Sequence, residues 1–345
     1  MMSSLKIKQQ VQSLLRSKSV DDLAKVLKFT AENITLLSIS KKYEVYKIPK
    51  KDGSFRMIED PYAPLKALQK RLNEVLQCYY ATIRPSPVYG FCISTSPDKP
   101  LNIKTNAQRH VGNPWMINID LKDFFHHISE KRVQNIFSTN FKHWDKNLVK
   151  TMAAIATYKH RLPMGAPTSP VLSNLACINL DHELQNFTKN SGITFTRFAD
   201  DFTFSAHHEL NKNDIDIIFS ALHHYGFLEN QKKVVIYPPD DIKIVTGLVV
   251  GNDDVSLPKD YIPQLLIEID RLKNILSVEK RYQTGMSNKK LQLFKQEIEG
   301  KINFATTILG NQHVDIQHIE QAYIDATAPE DDYLSMNWLE MPYSL

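Results

Sequence analysis

Asp200 and Asp201 stand side by side between two short runs rich in β-branched and aromatic residues, Ile193 to Arg197 and Phe202 to Ser205. Such runs read as two strands, which puts the carboxylate pair at the tip of a hairpin. Neighbouring carboxylates repel each other and add nothing to packing, so a cation belongs beside them. Hard divalent ions such as Mg²⁺ take carboxylate oxygens together with substrate phosphates. Asp-Asp is also a common turn dipeptide, and alone the pair leaves both readings open. A third carboxylate narrows the choice. Met116 to Asp120 reads as an apolar strand that ends on an acid and runs into Phe124-Phe125. An acid at the end of a buried strand is costly unless it is paired or bound to metal. If that strand lies beside the hairpin, Asp120, Asp200 and Asp201 converge as two-metal phosphoryl transfer requires.

These residues belong to an ordered series. Asp120 with Phe124-Phe125, then Leu162-Pro163-Met164-Gly165-Ala166-Pro167-Thr168-Ser169-Pro170 with Ser173-Asn174-Leu175, then Phe198-Ala199-Asp200-Asp201 resemble the successive motifs of reverse transcriptases. Asn106-Ala107-Gln108-Arg109-His110 resembles the Asn-Ala-x-x-His element of retron reverse transcriptases, and Val245-Thr246-Gly247 resembles their Val-Thr-Gly element. The resemblance covers roughly residues 45 to 250 and continues more weakly to about 310. It implies an α+β right-hand polymerase, with fingers, a palm built on an antiparallel sheet, and a helical thumb. The division it implies is an N-terminal helical segment (1–42), fingers and palm (43–254), thumb (255–320) and an acidic C-terminal tail (321–345).

The resemblance also implies roles. Asp120, Asp200 and Asp201 would hold two Mg²⁺ ions, and Lys233 matches the lysine that protonates departing pyrophosphate. Lys50 and Arg56 match positions that hold the incoming triphosphate, an ammonium acting as a point charge and a guanidinium gripping oxygens bidentately. Phe125 matches the ring beneath the incoming sugar, where a 2′-hydroxyl would clash, so deoxynucleotides would be selected. Met164 and Gly165 lie in the segment beneath the templating base and nucleotide; Met164 replaces the usual Gln and cannot make an amide's hydrogen bonds. Asn106 and His110 would serve RNA handling, and Val245, Thr246 and Gly247 the strand that grips the primer end. Implied partners are a structured noncoding RNA acting as template and 2′-hydroxyl primer, its RNA-linked single-stranded DNA product, deoxynucleoside triphosphates, and a separate effector protein in antiphage defence. Rival readings are another bacterial reverse transcriptase class, group II intron or diversity-generating, and an RNA- and DNA-binding scaffold that restrains an effector.

Several elements must position these groups. Leu14, Leu15, Leu23, Val26 and Leu27 recur near helical spacing, with Ser19 or Asp21 as a cap. Lys50-Lys51-Asp52-Gly53 between two β-like runs is a hairpin signal. Leu65, Leu68, Leu72, Val75 and Leu76 share one face of a helix over 64–80. Ser169 reads as an N-cap with Pro170 at the first helical position, and Asp123 as a cap of the turn after Asp120. Ile215, Ile218, Phe219 and Leu222 predict an amphipathic helix. So do Leu265, Ile269, Leu272 and Leu276, then Leu291, Phe294 and Ile298.

Composition fits an ordinary globular chain of 345 residues with 42% hydrophobic and 23% charged residues. Net charge is +4, but residues 321–345 hold five acids and no Lys or Arg, so the remainder carries +9. A basic body suits a polyanion. The three cysteines, Cys78, Cys92 and Cys177, form neither a disulfide framework nor a zinc knuckle. The twelve histidines show no metal-ligand spacing. No apolar run is long enough to span a bilayer and the first ten residues are polar, so a cytoplasmic protein without membrane partners is expected. The acidic tail from Ala326 reads as a disordered end or, through Trp338, Leu339 and Met341, as a docking segment for a partner.

Overall fold

The computed structural model describes residues 4–50, 53–96, 98–282 and 288–328. The chain divides into two compact units, Met1–Val255 and Ser256–Leu345.

In the first unit, helices α1 (Ser4–Arg16), α2 (Val20–Leu27) and α3 (Ala31–Ile39) form a layer. Ser19 begins α2 with a capping box: its hydroxyl accepts from the Asp22 amide, and Asp22 accepts from the Ser19 amide. The layer is tied to the body by Trp144, whose indole donates to the Leu14 carbonyl at 3.3 Å, and by Lys41, whose ammonium caps carbonyls of Ala154 and Thr157. Strands β1 (Tyr43–Pro49) and β2 (Phe55–Pro61) pair antiparallel as a hairpin closed by the Lys50 amide on the Ser54 carbonyl. Lys51 and Asp52, expected at its tip, lie outside the described residues. Helix α4 (Ala63–Ile83) buries all five apolar residues of its expected face. The short α5 (Ile103–Gln108) leads to β3 (Trp115–Asp120).

Next come α6 (Glu130–Asn140), α7 (Lys146–Ala156), the long α8 (Ser169–Asn190), β4 (Thr194–Phe198), β5 (Asp201–Ala206), α9 (Lys212–His224), β6 (Val235–Tyr237), β7 (Lys243–Val245) and β8 (Leu248–Val250). The central sheet has the order β4-β5-β3-β6, antiparallel throughout. Its period-2 pleat sorts side chains by face. Phe195, Phe202 and Phe204 lie on one face and are buried, whereas Thr196, Thr203 and Ser205 share the other with Asp201. In the register of β3 and β5, Asp120 is the direct partner of Asp201, so strand pairing alone brings these two carboxylates together.

Of the two expected caps, one falls a residue earlier and the other keeps its place. Helix α8 has Thr168 as its cap residue, and Ser169 lies inside the first turn with its hydroxyl donating to the Pro163 carbonyl at 2.6 Å. Asp123 begins the turn Phe124–His127, but through its carbonyl, which accepts from the His126 amide; its side chain makes no cap bond.

The second unit contains α10 (Tyr261–Tyr282), α11 (Asn288–Leu309) and α12 (Val314–Thr327). Leu265, Ile269, Leu272, Ile298, Ile316 and Ile319 are buried among them, and Lys301 joins α11 to α10 through Glu268 at 2.7 Å. Because α12 runs to Thr327, the first residues of the expected tail are helical. Trp338, Leu339 and Met341 lie outside the described residues. Among the described residues no helix is long and apolar enough to cross a membrane.

Candidate active site

The β4–β5 connection is the two-residue turn Ala199-Asp200. Ala199 has φ of 60°, a left-handed conformation that a non-glycine residue adopts only when its surroundings impose it, at a cost of about 1–3 kcal/mol. Those surroundings are a buried polar cluster. Arg197, fully buried, grips Asp181 of α8 at 2.7 and 2.6 Å, and its remaining amino group donates to Asn174 and to the carbonyl of Ala199, both at 3.0 Å. Asn174 in turn donates to the Gly90 carbonyl at 3.0 Å. A Cβ on Gly90 would collide with the Ala199 nitrogen, so only glycine allows the loop to press against the turn. Burial opposes the guanidinium charge, but the Asp181 carboxylate outweighs it and holds Arg197 protonated. Sequence reasoning missed Asp181 and Arg197. Their signal was an acid on the apolar stripe of α8 and an arginine inside an apolar strand.

Asp120, Asp200 and Asp201 crowd one end of the sheet. The Asp200 carbonyl accepts from the Leu121 amide, which locks the turn against the end of β3. Burial and the neighbouring Asp120 charge leave the Asp200 carboxyl above its ordinary range, although a hydrogen bond from its own backbone amide and the charges of Lys233 and Arg56 oppose the rise. Burial and the charges of Asp200 and Asp120 push Asp201 up to about 7. Lys233 donates to Asp120 at 3.0 Å, and that bond raises its own pKa, so it stays protonated. It follows a short turn anchored by the Asn230 amide on the Asp120 carbonyl.

The donor set is all oxygen, and its mutual repulsion is what a dication relieves. Among the described residues no three His, Cys, Asp or Glu side chains close around a single point, and Asp120 is bonded to Lys233. The residues therefore fit Mg²⁺ by donor chemistry, with Lys233 filling part of the charge balance.

Around this centre, Arg56 on exposed β2 is close enough for its charge to act on Asp200, while Lys50 lies at the exposed end of the hairpin. Strand β2 is fixed to the Met164 segment. The Glu59 amide donates to the Met164 carbonyl at 2.7 Å, and Arg161 holds the Glu59 carboxylate at 2.7 and 2.9 Å. Gly165 has φ of 129° and no room for a Cβ, which would meet the Glu59 carbonyl at 2.9 Å. Phe124 is buried and Phe125 only partly so, its ring facing Phe91 at 6.2 Å.

The remaining expected residues form a separate group. Thr246 and Gly247, both with positive φ, make the tight β7–β8 turn, and the Thr246 hydroxyl donates to the Ile103 carbonyl at 3.3 Å. The Val-Thr-Gly turn is thereby joined to α5, which carries Asn106. Val245 and Asn106 are buried. His110 is fully enclosed, its two ring nitrogens each 2.7 Å from a palm hydroxyl, Ser205 and Thr196. Both side chains are buried, and the His110 ring ties the chain just after α5 to the sheet.

A profile described as "Reverse transcriptase (RNA-dependent DNA polymerase)" matches residues 48–248. The retron Ec86 reverse transcriptase of Escherichia coli is 31% identical over 261 residues, 74% of this chain and 78% of that one. The chain belongs to the retron reverse transcriptases. The retron Ec83 enzyme of Escherichia coli is 26% identical over 302 residues, covering 83% of this chain and 88% of that one. The retron Mx65 enzyme of Myxococcus xanthus is 29% identical over 243 residues, and this chain spans 54% of its length.

In this retron reverse transcriptase, burial and the adjacent Arg109 charge push the His110 pKa from 6.5 down to about 3. Below about pH 6.5 the unfolded chain takes up a proton that the folded chain refuses, so stability falls with pH by about 1.4 kcal/mol per unit until about pH 3. Thermal unfolding between about pH 7 and about pH 5 should show a smaller loss for His110→Gln than for the unaltered chain. Parallel losses would contradict a buried neutral imidazole.

Proposed function

We propose that Asp120, Asp200 and Asp201 hold two Mg²⁺ ions and that the enzyme copies its own structured noncoding RNA into DNA. The observation that carries this is the direct pairing of Asp120 with Asp201 beside the constrained Ala199-Asp200 turn. When bound, the ions would lower the pKa of an attacking hydroxyl and neutralise phosphate charge. The chain's own groups do the rest. Arg56 and Lys50 bind the triphosphate oxygens, and the Met164-Gly165 backbone supports the nucleotide from below. Lys233 keeps its proton at Nζ through Asp120 and delivers it to the departing pyrophosphate, worth about 10² to 10⁴ in rate. Val245, Thr246 and Gly247 steady the primer end. A 2′-hydroxyl of the RNA serves as first primer, giving an RNA-linked single-stranded DNA that acts with a separate effector in antiphage defence. Membership of the retron enzymes supports these last steps.

Phe125 offers the test of substrate choice. With its ring under the incoming sugar, Phe125→Val should raise ribonucleotide use relative to deoxynucleotide use by about tenfold or more, as a single lost contact permits. The ratio of kcat/KM for the two nucleotides on a primed RNA template reads this directly. An unchanged ratio would remove Phe125 from the nucleotide site.

A further inference from the structure

The Asn106–His110 element has no outward role for its two signature residues, yet between them it carries Arg109, which is exposed. Arg109 follows α5, whose start is capped by Asn102 and held by Thr246, and whose end is fixed by the His110 ring between two palm hydroxyls. These anchors aim Arg109 into an open groove of about 380 Å³. Lys189, in the last turn of α8, lines the same groove. Ser86, Tyr89, Gln185 and Thr194 add hydroxyl and amide groups, and the groove's lining includes no Asp or Glu. Burial holds the Tyr89 hydroxyl protonated and able to donate, even with Arg109 and Arg84 acting against it.

From this juxtaposition we infer that the groove of Arg109, Lys189 and Tyr89 is a phosphodiester-binding site for RNA, separate from the catalytic centre. Two cations with hydroxyl donors and no carboxylate match a phosphate backbone. Thr194, at the groove, lies four residues along β4 from Phe198, or about 13 Å from the catalytic turn, too far to share one phosphate with Asp200. The inference rests on the RNA-directed reading above. It also gives the buried His110 its purpose as a positioning residue for Arg109.

The test uses the full chain, Arg109→Gln, Lys189→Gln and the double variant, with Lys25→Gln/Lys28→Gln as a charge-matched control at two exposed positions, one in α2 and one just after it. The probes are a fluorescein-labelled RNA stem-loop and the DNA stem-loop of the same sequence, titrated from about 50 to about 200 mM salt. The double variant should bind RNA about tenfold more weakly and lower the slope of log K against log salt by about two, one per phosphate contact. Melting temperatures should match the unaltered chain, since both side chains are exposed. An equal loss on RNA and DNA keeps the phosphodiester site and makes it indifferent to the sugar. An unchanged slope, an equal loss in the control, or displacement of RNA by poly-glutamate at equal concentration overturns it. Extension of poly(rA)·oligo(dT) by the unaltered chain separates the two claims: no extension refutes the polymerase reading, whereas extension with an unchanged slope refutes only this site.

Discussion

Asp201→Asn is expected to abolish primer extension, by about 10³-fold or more, while raising thermal stability in the absence of Mg²⁺. The loss follows because several kcal/mol of charge stabilisation at the reacting phosphate would go with the carboxylate. The gain follows from burial of Asp201 and its crowding by Asp200 and Asp120, which together lift its pKa to about 7. A carboxyl whose folded pKa is raised contributes stability that is whole below its unfolded value and lost as pH rises through the folded one. At about pH 8 the native chain therefore carries a strained negative charge that the amide lacks. Mg²⁺ should reverse the order by raising the melting temperature of the unaltered chain and leaving that of Asp201→Asn almost unmoved. Extension that survives the substitution would refute the metal assignment, and so would an equal response of both proteins to Mg²⁺.

The second large effect concerns the cluster behind the turn. Asp181→Ala leaves the Arg197 guanidinium buried without its counter-charge, which costs about 3–5 kcal/mol of stability. Replacing both partners by apolar residues of similar size, Asp181→Leu with Arg197→Met, should cost less than the single change, because no uncompensated charge remains. The double variant should still extend poorly, since nothing then donates to the Ala199 carbonyl, now held at 3.0 Å by Arg197. Urea unfolding and extension rates measured on the same preparations separate the two effects. A double variant as active as the unaltered chain would show that the turn does not depend on Arg197.

The carboxylate centre was legible in the sequence for a local reason. Asp120 and the Asp200-Asp201 pair interrupt runs whose period and composition already mark strands, and pairing of those strands brings the acids together. The helical face of α4 and the capped start of α2 were legible for the same reason: their signals lie within a few residues of each other. What was not legible depends on distant partners. Asp181 and Arg197 are 16 positions apart and meet only because α8 packs on the sheet. Glu59 and Arg161 are separated by 102 positions and join β2 to the Met164 segment. The buried place of His110 depends on Ser205 and Thr196, which lie 95 and 86 positions away, so nothing local to the motif marks it as a core anchor. The α8 cap lies at Thr168, and Ser169 instead donates to the Pro163 carbonyl six positions back.

The most direct measurement is to express the chain with its native upstream locus, purify it, and digest the bound nucleic acid separately with RNase and DNase. The account predicts a discrete single-stranded DNA joined to RNA, absent when Asp200→Ala and Asp201→Ala are combined. Bound RNA without DNA, in the presence of deoxynucleotides and Mg²⁺, would contradict it and leave a protein that holds RNA without copying it.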